Sequence, residues 1–128
     1  MPDEYTALVR ALKALTQTLN GAATEEDPET ETLPMAEDGW NTRPDAVSYG
    51  TVQLDFEADA LRGNDVKQAA AYEGSVDLYS RKRSGAGWVK LICDTLTSHC
   101  DGCWSLNSHQ YERETGLFHW EWVFQVEE

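Results

Sequence analysis

The hydrophobic period of the chain switches between that of a helix and that of a strand. Tyr5, Leu8, Val9, Leu12, Leu15 and Leu19 follow the i, i+3, i+4, i+7 spacing that stacks side chains on one helical face. Asp3 is placed to cap this helix, Glu4 favours its first turn, and Asn20-Gly21 supplies a stop. The next stretch, about residues 22–38 (AATEEDPETETLPMAED), has no period and few large apolar residues, which predicts a mobile acidic loop. It reads as a solvated segment or as an arm that orders against a neighbouring subunit.

After Pro44 the period becomes two. Val52, Leu54 and Phe56 alternate with Thr51, Gln53, Asp55 and Glu57, and after a turn at Gly63-Asn64-Asp65 a second strand sets Val76 and Leu78 opposite Ser75, Asp77 and Tyr79. Gly74, in the middle of that strand, points to a bulge or to the close approach of another backbone. SGAG (84–87) ends it. Trp88, Leu91, Ile92 and Leu96 then return to helical spacing, with Lys90 and Asp94 on the polar side. The last segment pairs Trp104–Tyr111 with a strand whose Phe118, Trp120, Trp122, Phe124 and Val126 share one face, joined by a loop ending at Gly116. Helix, loop, strand pair, helix and hairpin, with no βαβ alternation, predict one α+β domain over residues 1–128. Its antiparallel β-sheet is expected to be covered on one face by the two α-helices.

Composition narrows the function. A chain of 128 residues can bury a core without a metal or disulfides. Its 23 acidic against 10 basic residues give a net charge of −13, which disfavours nucleic acid and anionic membranes as partners. No apolar run is long enough to span a membrane, and the first residues lack the pattern of a signal peptide. An odd three cysteines suits reduced thiols in a cytoplasm.

All three cysteines fall in CDTLTSHCDGCW. Cys93, His99, Cys100 and Cys103 make four potential zinc ligands, with His109 and His119 in reserve. A structural zinc site normally joins two ligand pairs across a loop, whereas here there is one Cys-x-x-Cys, and Cys93 sits beside the apolar row of the second helix. Cys100-Asp101-Gly102-Cys103 follows a helix C-terminus, where the dipole disfavours a thiolate, so thioredoxin chemistry is not expected. A tight Asp-Gly turn is the expectation, with no metal and no cofactor. No catalytic constellation stands out, and an enzyme is not expected.

EGSVDLYSRKRSGAGWVKLICDTL followed by LNSHQYERETGLFHWEWVFQVE resembles the tail-terminator, or tail-completion, proteins of long-tailed bacteriophages. The likeness lies in the strand Val76–Arg81 running through a short loop into the helix Trp88–Leu96, and in the Asn107–Val126 hairpin with its Glu-Thr-Gly turn. It implies a structural virion protein at the tail end or neck, assembled in the host cytoplasm. Such a protein forms a homo-oligomer, a hexameric ring that stops polymerisation of the major tail tube protein and meets head-tail connector proteins. DNA passes through that ring without specific binding.

In such a ring the Trp row is expected to be core, leaving Tyr79, Arg81, Lys82, Arg83, His119 and Glu121 as candidates for the subunit interface. Arg81-Lys82-Arg83, the only concentrated positive charge, is either a solvated strand end or a contact to acids of the next subunit. Two other readings stay open: another head-tail connector or neck protein, and a non-structural acidic inhibitor that mimics DNA.

Overall fold

The computed structural model describes residues 3–18, 30–37, 47–57 and 71–127. Helix α1 (Asp3–Lys13) is followed by short strands β1 (Thr16–Thr18), β2 (Thr30–Thr32) and β3 (Met35–Glu37). Long strands β4 (Ser48–Glu57) and β5 (Ala71–Ser80), helix α2 (Trp88–His99), and strands β6 (Trp104–Glu112) and β7 (Leu117–Glu127) complete the order. The five main strands run β3-β4-β5-β7-β6, while β1 and β2 pair separately. The protein is α+β, but its main sheet is mixed, because β3 joins β4 in parallel while every other pairing is antiparallel. The expected all-antiparallel sheet is thus corrected: Pro34 brings the chain alongside β4 in the same direction, where its carbonyl accepts from Gly50 N at 2.8 Å.

Two further expectations change. The helical period of residues 5–19 outlasts the helix, which ends at Lys13. Leu15 still packs against the core, but its carbonyl accepts from Leu33 N at 3.1 Å and the following Thr-Gln-Thr pairs with Thr30–Thr32. β-Branched threonines fit a strand better than a last helical turn. Asp3 lies inside the first helical turn instead of capping it. The acidic loop expected over 22–38 is partly ordered, since Leu33 is buried at 1 % exposure between β2 and β3. The rest of that loop, like the turn expected at 63–65, falls outside the described residues.

One core joins the elements. Tyr5, Leu8, Val9 and Leu12 of α1 and Trp88, Ile92 and Leu96 of α2 cluster with Val52, Val76, Leu78, Trp120, Trp122, Phe124 and Val126 of the sheet. These strand residues are the ones that alternation assigned to a single face. On α2, Lys90 and Asp94 stay exposed and meet at 2.7 Å. Gly116 has φ of 74°, as its loop requires. At Gly74 both sequence readings hold. The β4–β5 register shifts between Leu54 and Phe56, and a Cβ on Gly74 would run into the Gln53 carbonyl and the Phe124 ring.

Candidate functional site

The cysteine segment resolves into separate environments. Cys100, 3 % exposed, is part of the core, and burial pushes its thiol up to about 12. Cys103 is exposed, Cys93 is half-buried with its thiol raised by burial, and His99 is half-buried at the end of α2. Cys103 N donates to Cys100 O at 2.7 Å, and Asp101 and Gly102 take φ of 47° and 80°. This is the expected Asp-Gly turn, with both central residues at positive φ. It directs Cys100 inward and Cys103 outward. Among the described residues no group of three or more His, Cys, Asp or Glu side chains is arranged to hold a metal ion.

The sheet assembles a different cluster. Along β5 and β7, residues of the parity opposite to the core set meet across the strands: Tyr79 pairs with His119, and Asp77 with Glu121. His119 Nε2 lies 2.7 Å from Asp77 Oδ1, and its Nδ1 lies 3.2 Å from Glu112 Oε2 on β6. The His119 ring stacks on Tyr79 with centroids 4.2 Å apart, and Tyr79 stacks on Tyr49 at 5.0 Å. The side chains of Asp77 and His119 are only 15 % and 14 % exposed, so this is a half-buried network and not a loose surface pair. The hydrogen bond to Asp77 holds the imidazole pKa above its usual value; burial opposes this, and the charges of Asp77 and Glu112 reinforce it. Burial, then the Asp77 and Glu112 charges, pushes the Tyr79 phenol up to about 12. The arrangement therefore favours the protonated imidazole between two carboxylates, with a neutral phenol above it. It ties β5, β6 and β7 together on the face away from the core residues. Glu121 accepts from Asn107 Nδ2 at 2.6 Å, beside the β6 irregularity between Leu106 and Ser108.

The six interface candidates thus divide. Tyr79, His119 and Glu121 lie together on that face. Arg83 goes elsewhere, its guanidinium 5.9 Å from the centroid of Phe118, which has core-side parity. Arg81 and Lys82 are exposed, and the Arg81 amide ties the end of β5 to Val47 at 2.8 Å. Asp77 and Glu112, which complete the network, carry no sequence signal beyond alternation and the hairpin register set by Gly116.

The edge strand β6 presents a second surface. Leu106 and Tyr111, 50 % and 53 % exposed, are two of the three exposed large hydrophobic side chains among the described residues. They share the parity of Trp104, whose indole Nε1 donates to Thr97 Oγ1 of α2 at 3.1 Å. Near the Cys103 end, Glu73, Cys103, Ser105, Val123 and Gln125 help line a shallow cleft of about 330 Å³. The fold and these surfaces define an α+β protein with a mixed five-stranded sheet, one end of which, β6, carries exposed apolar side chains and has no strand on its outer side among the described residues. No protein-family model matches the chain, and no curated protein matches it. Among the described residues no helix is long and apolar enough to cross a membrane.

Proposed function

We propose that the protein is a structural subunit of a phage virion, of the tail-terminator type. It forms a ring of about six copies at the end of the tail tube, with each subunit meeting its neighbour through two different patches. The ring halts growth of the tube protein and presents a seat for the connector of the head. The observation that carries the reading is the unit β5–α2–β6–β7. A strand followed by Arg81-Lys82-Arg83 runs through a glycine-rich turn into a helix, and a hairpin turning at Glu114-Thr115-Gly116 ends the sheet in a strand with no neighbour on its outer side among the described residues. That is the element order the sequence resemblance implies. In this reading the two helices lie over one face of the sheet, so that the opposite face and the edges remain for neighbours.

The charge is compatible with a DNA passage. A net −13 surface repels phosphates, and a channel wall must not retain the strand it guides. Quantitative mass spectrometry of purified phage particles tests the proposal. About six copies per particle is the expected result for one ring. Absence from particles overturns it and moves the acidic DNA-mimic reading to the front, which competition with DNA for a nucleic-acid enzyme then checks.

A further inference from the structure

An edge strand normally carries devices against pairing with another chain: short length, lysine, proline or a bulge. β6 is nine residues long and its sequence, WSLNSHQYE, contains neither lysine nor proline. Its irregularity lies between Leu106 and Ser108, leaving Ser108–Glu112 in regular pairing with β7. In the order β3-β4-β5-β7-β6 its second side has no strand beside it among the described residues.

The side chains on the core-side parity of this edge form a continuous stripe. Tyr111 packs on Phe118 with centroids 4.9 Å apart, His109 stacks on Trp120 at 4.4 Å, and Leu106 lies opposite Trp122. Trp104, nearest α2, is half-buried, whereas Leu106, His109 and Tyr111 are exposed. At the hairpin end the stripe finishes in Arg83 over Phe118, next to the exposed Lys82. An aromatic stripe ended by arginine has the composition of an interface anchor.

From this we infer that the β6 edge, with Leu106, Tyr111, Phe118 and Arg83, is a docking surface for a second copy of this chain. The second copy lays an extended acidic segment along β6. Charge complementarity selects this occupant. With Arg81, Lys82 and Arg83 set aside, the chain holds 23 acidic residues against seven basic ones, so a second copy is rich in carboxylates that complement Arg83. β6 itself offers one acid, Glu112, which already faces His119 at 3.2 Å. The partner's acid therefore comes from outside its own β6, and the contact is heterologous, the kind that closes a ring. The inference rests on the assembly reading above; of the interface candidates named from the sequence it takes Arg83, and joins to it Leu106, Tyr111 and Phe118 on the core-side parity of the sheet.

Sedimentation velocity of the purified full-length chain, across protein concentration and salt, tests it. Association is expected to rise with concentration, and its response to added salt is expected to differ between the wild type and Arg83→Glu, because salt screens both the Arg83 attraction and the general repulsion between two copies of net charge −13. Arg83→Glu, and separately Leu106→Asp with Tyr111→Asp, are expected to weaken association by about tenfold or more. Lys90→Glu, an equal charge reversal on the exposed side of α2, is expected to leave it unchanged. Circular dichroism checks that each variant is folded, and Arg83→Glu carries the test if the double variant is not. A wild-type chain that stays monomeric throughout, or association indifferent to both variants, overturns the inference. Virion incorporation is scored separately. Presence in particles with association insensitive to β6 sinks this surface and leaves the ring. Association through β6 with absence from particles sinks the tail-terminator reading and leaves the surface.

Discussion

Replacing Gly74 with alanine adds one methyl group where three strands of the sheet pack closely. Gly74 lies in the middle of β5, between Leu54 of β4 and Phe124 of β7. An added Cβ would overlap the Gln53 carbonyl oxygen and stand 2.5 Å from Phe124 Cζ and 3.0 Å from Cε1. Phe124 is 1 % exposed and faces Tyr5 with ring centroids 6.3 Å apart, so its ring has little room to retreat. The Gln53 oxygen belongs to the backbone of β4 and moves only with its strand. Overpacking of this kind costs about 1–3 kcal/mol, and a double overlap with one rigid partner lies at the upper end. The reduced freedom of the unfolded chain offsets about 0.4–1 kcal/mol of this. A net loss of about 2 kcal/mol corresponds to a fall in melting temperature of roughly 6–10 °C for a chain of this size. Urea and thermal unfolding followed by tryptophan fluorescence and circular dichroism measure it. Gly102→Ala is the control: its Cβ meets nothing within 4 Å, and only the positive φ of 80° opposes it, at about 1 kcal/mol. In a Phe124→Leu background the Gly74→Ala cost is expected to shrink, because one of the two obstacles is gone. A Gly74→Ala protein that melts with the wild type would refute the close-approach account of this residue.

Other expectations follow from the same geometry. His119 has a raised pKa in the folded chain, so its stabilising contribution is complete below the ordinary histidine pKa and is lost as pH rises through the raised value. The urea midpoint is therefore expected to fall as pH rises above the ordinary histidine value of about 6.5, and His119→Gln to remove that part of the slope. Equal slopes for the two proteins would rule out the Asp77–His119–Glu112 network as its source. A thiol reagent at neutral pH is expected to label Cys103 first and Cys100 only on unfolding, read by peptide mapping; rapid labelling of Cys100 would contradict its place in the core. Trp122→Ala empties a site that is 1 % exposed at the centre of β7 and is expected to cost about 3–5 kcal/mol, whereas Tyr111→Ala on the open edge is expected to cost far less. Chemical denaturation of the two side by side decides whether the burial contrast is real.

Alternation made most of the sheet readable. From Val76 to Leu78 and from Phe118 to Val126 a period of two coincided with burial, because one side of each strand packs against the core. The same rule failed where burial did not follow parity. Leu106, His109 and Tyr111 share the inner parity of Trp104 and yet are exposed, a consequence of α2 reaching Trp104 through Thr97 while no described element covers the edge beyond. β3 escaped notice because three residues, Met-Ala-Glu, are too few to show a period, and only Leu33 and Met35 break the acidic composition around them. The helical spacing that continued through Leu15 was misleading for a related reason. A residue after a helix end still points at the core, so apolar spacing alone does not report where hydrogen bonding changes partner.

The functional surfaces were less legible, since each needs residues brought together by register. Asp77 and His119 are 42 positions apart, and meet because β5 and β7 pair Tyr79 with His119. Their coupling builds a half-buried network, with side chains 14–15 % exposed, that alternation along either strand alone does not reveal. Arg83 is a second case. The sequence leaves it as a solvated strand end or a contact to acids of the next subunit, and its position over Phe118 puts a cation at the end of an exposed aromatic stripe. In a chain with so large an excess of acid, such a cation costs little to leave open and gains most when a second copy brings a carboxylate to it.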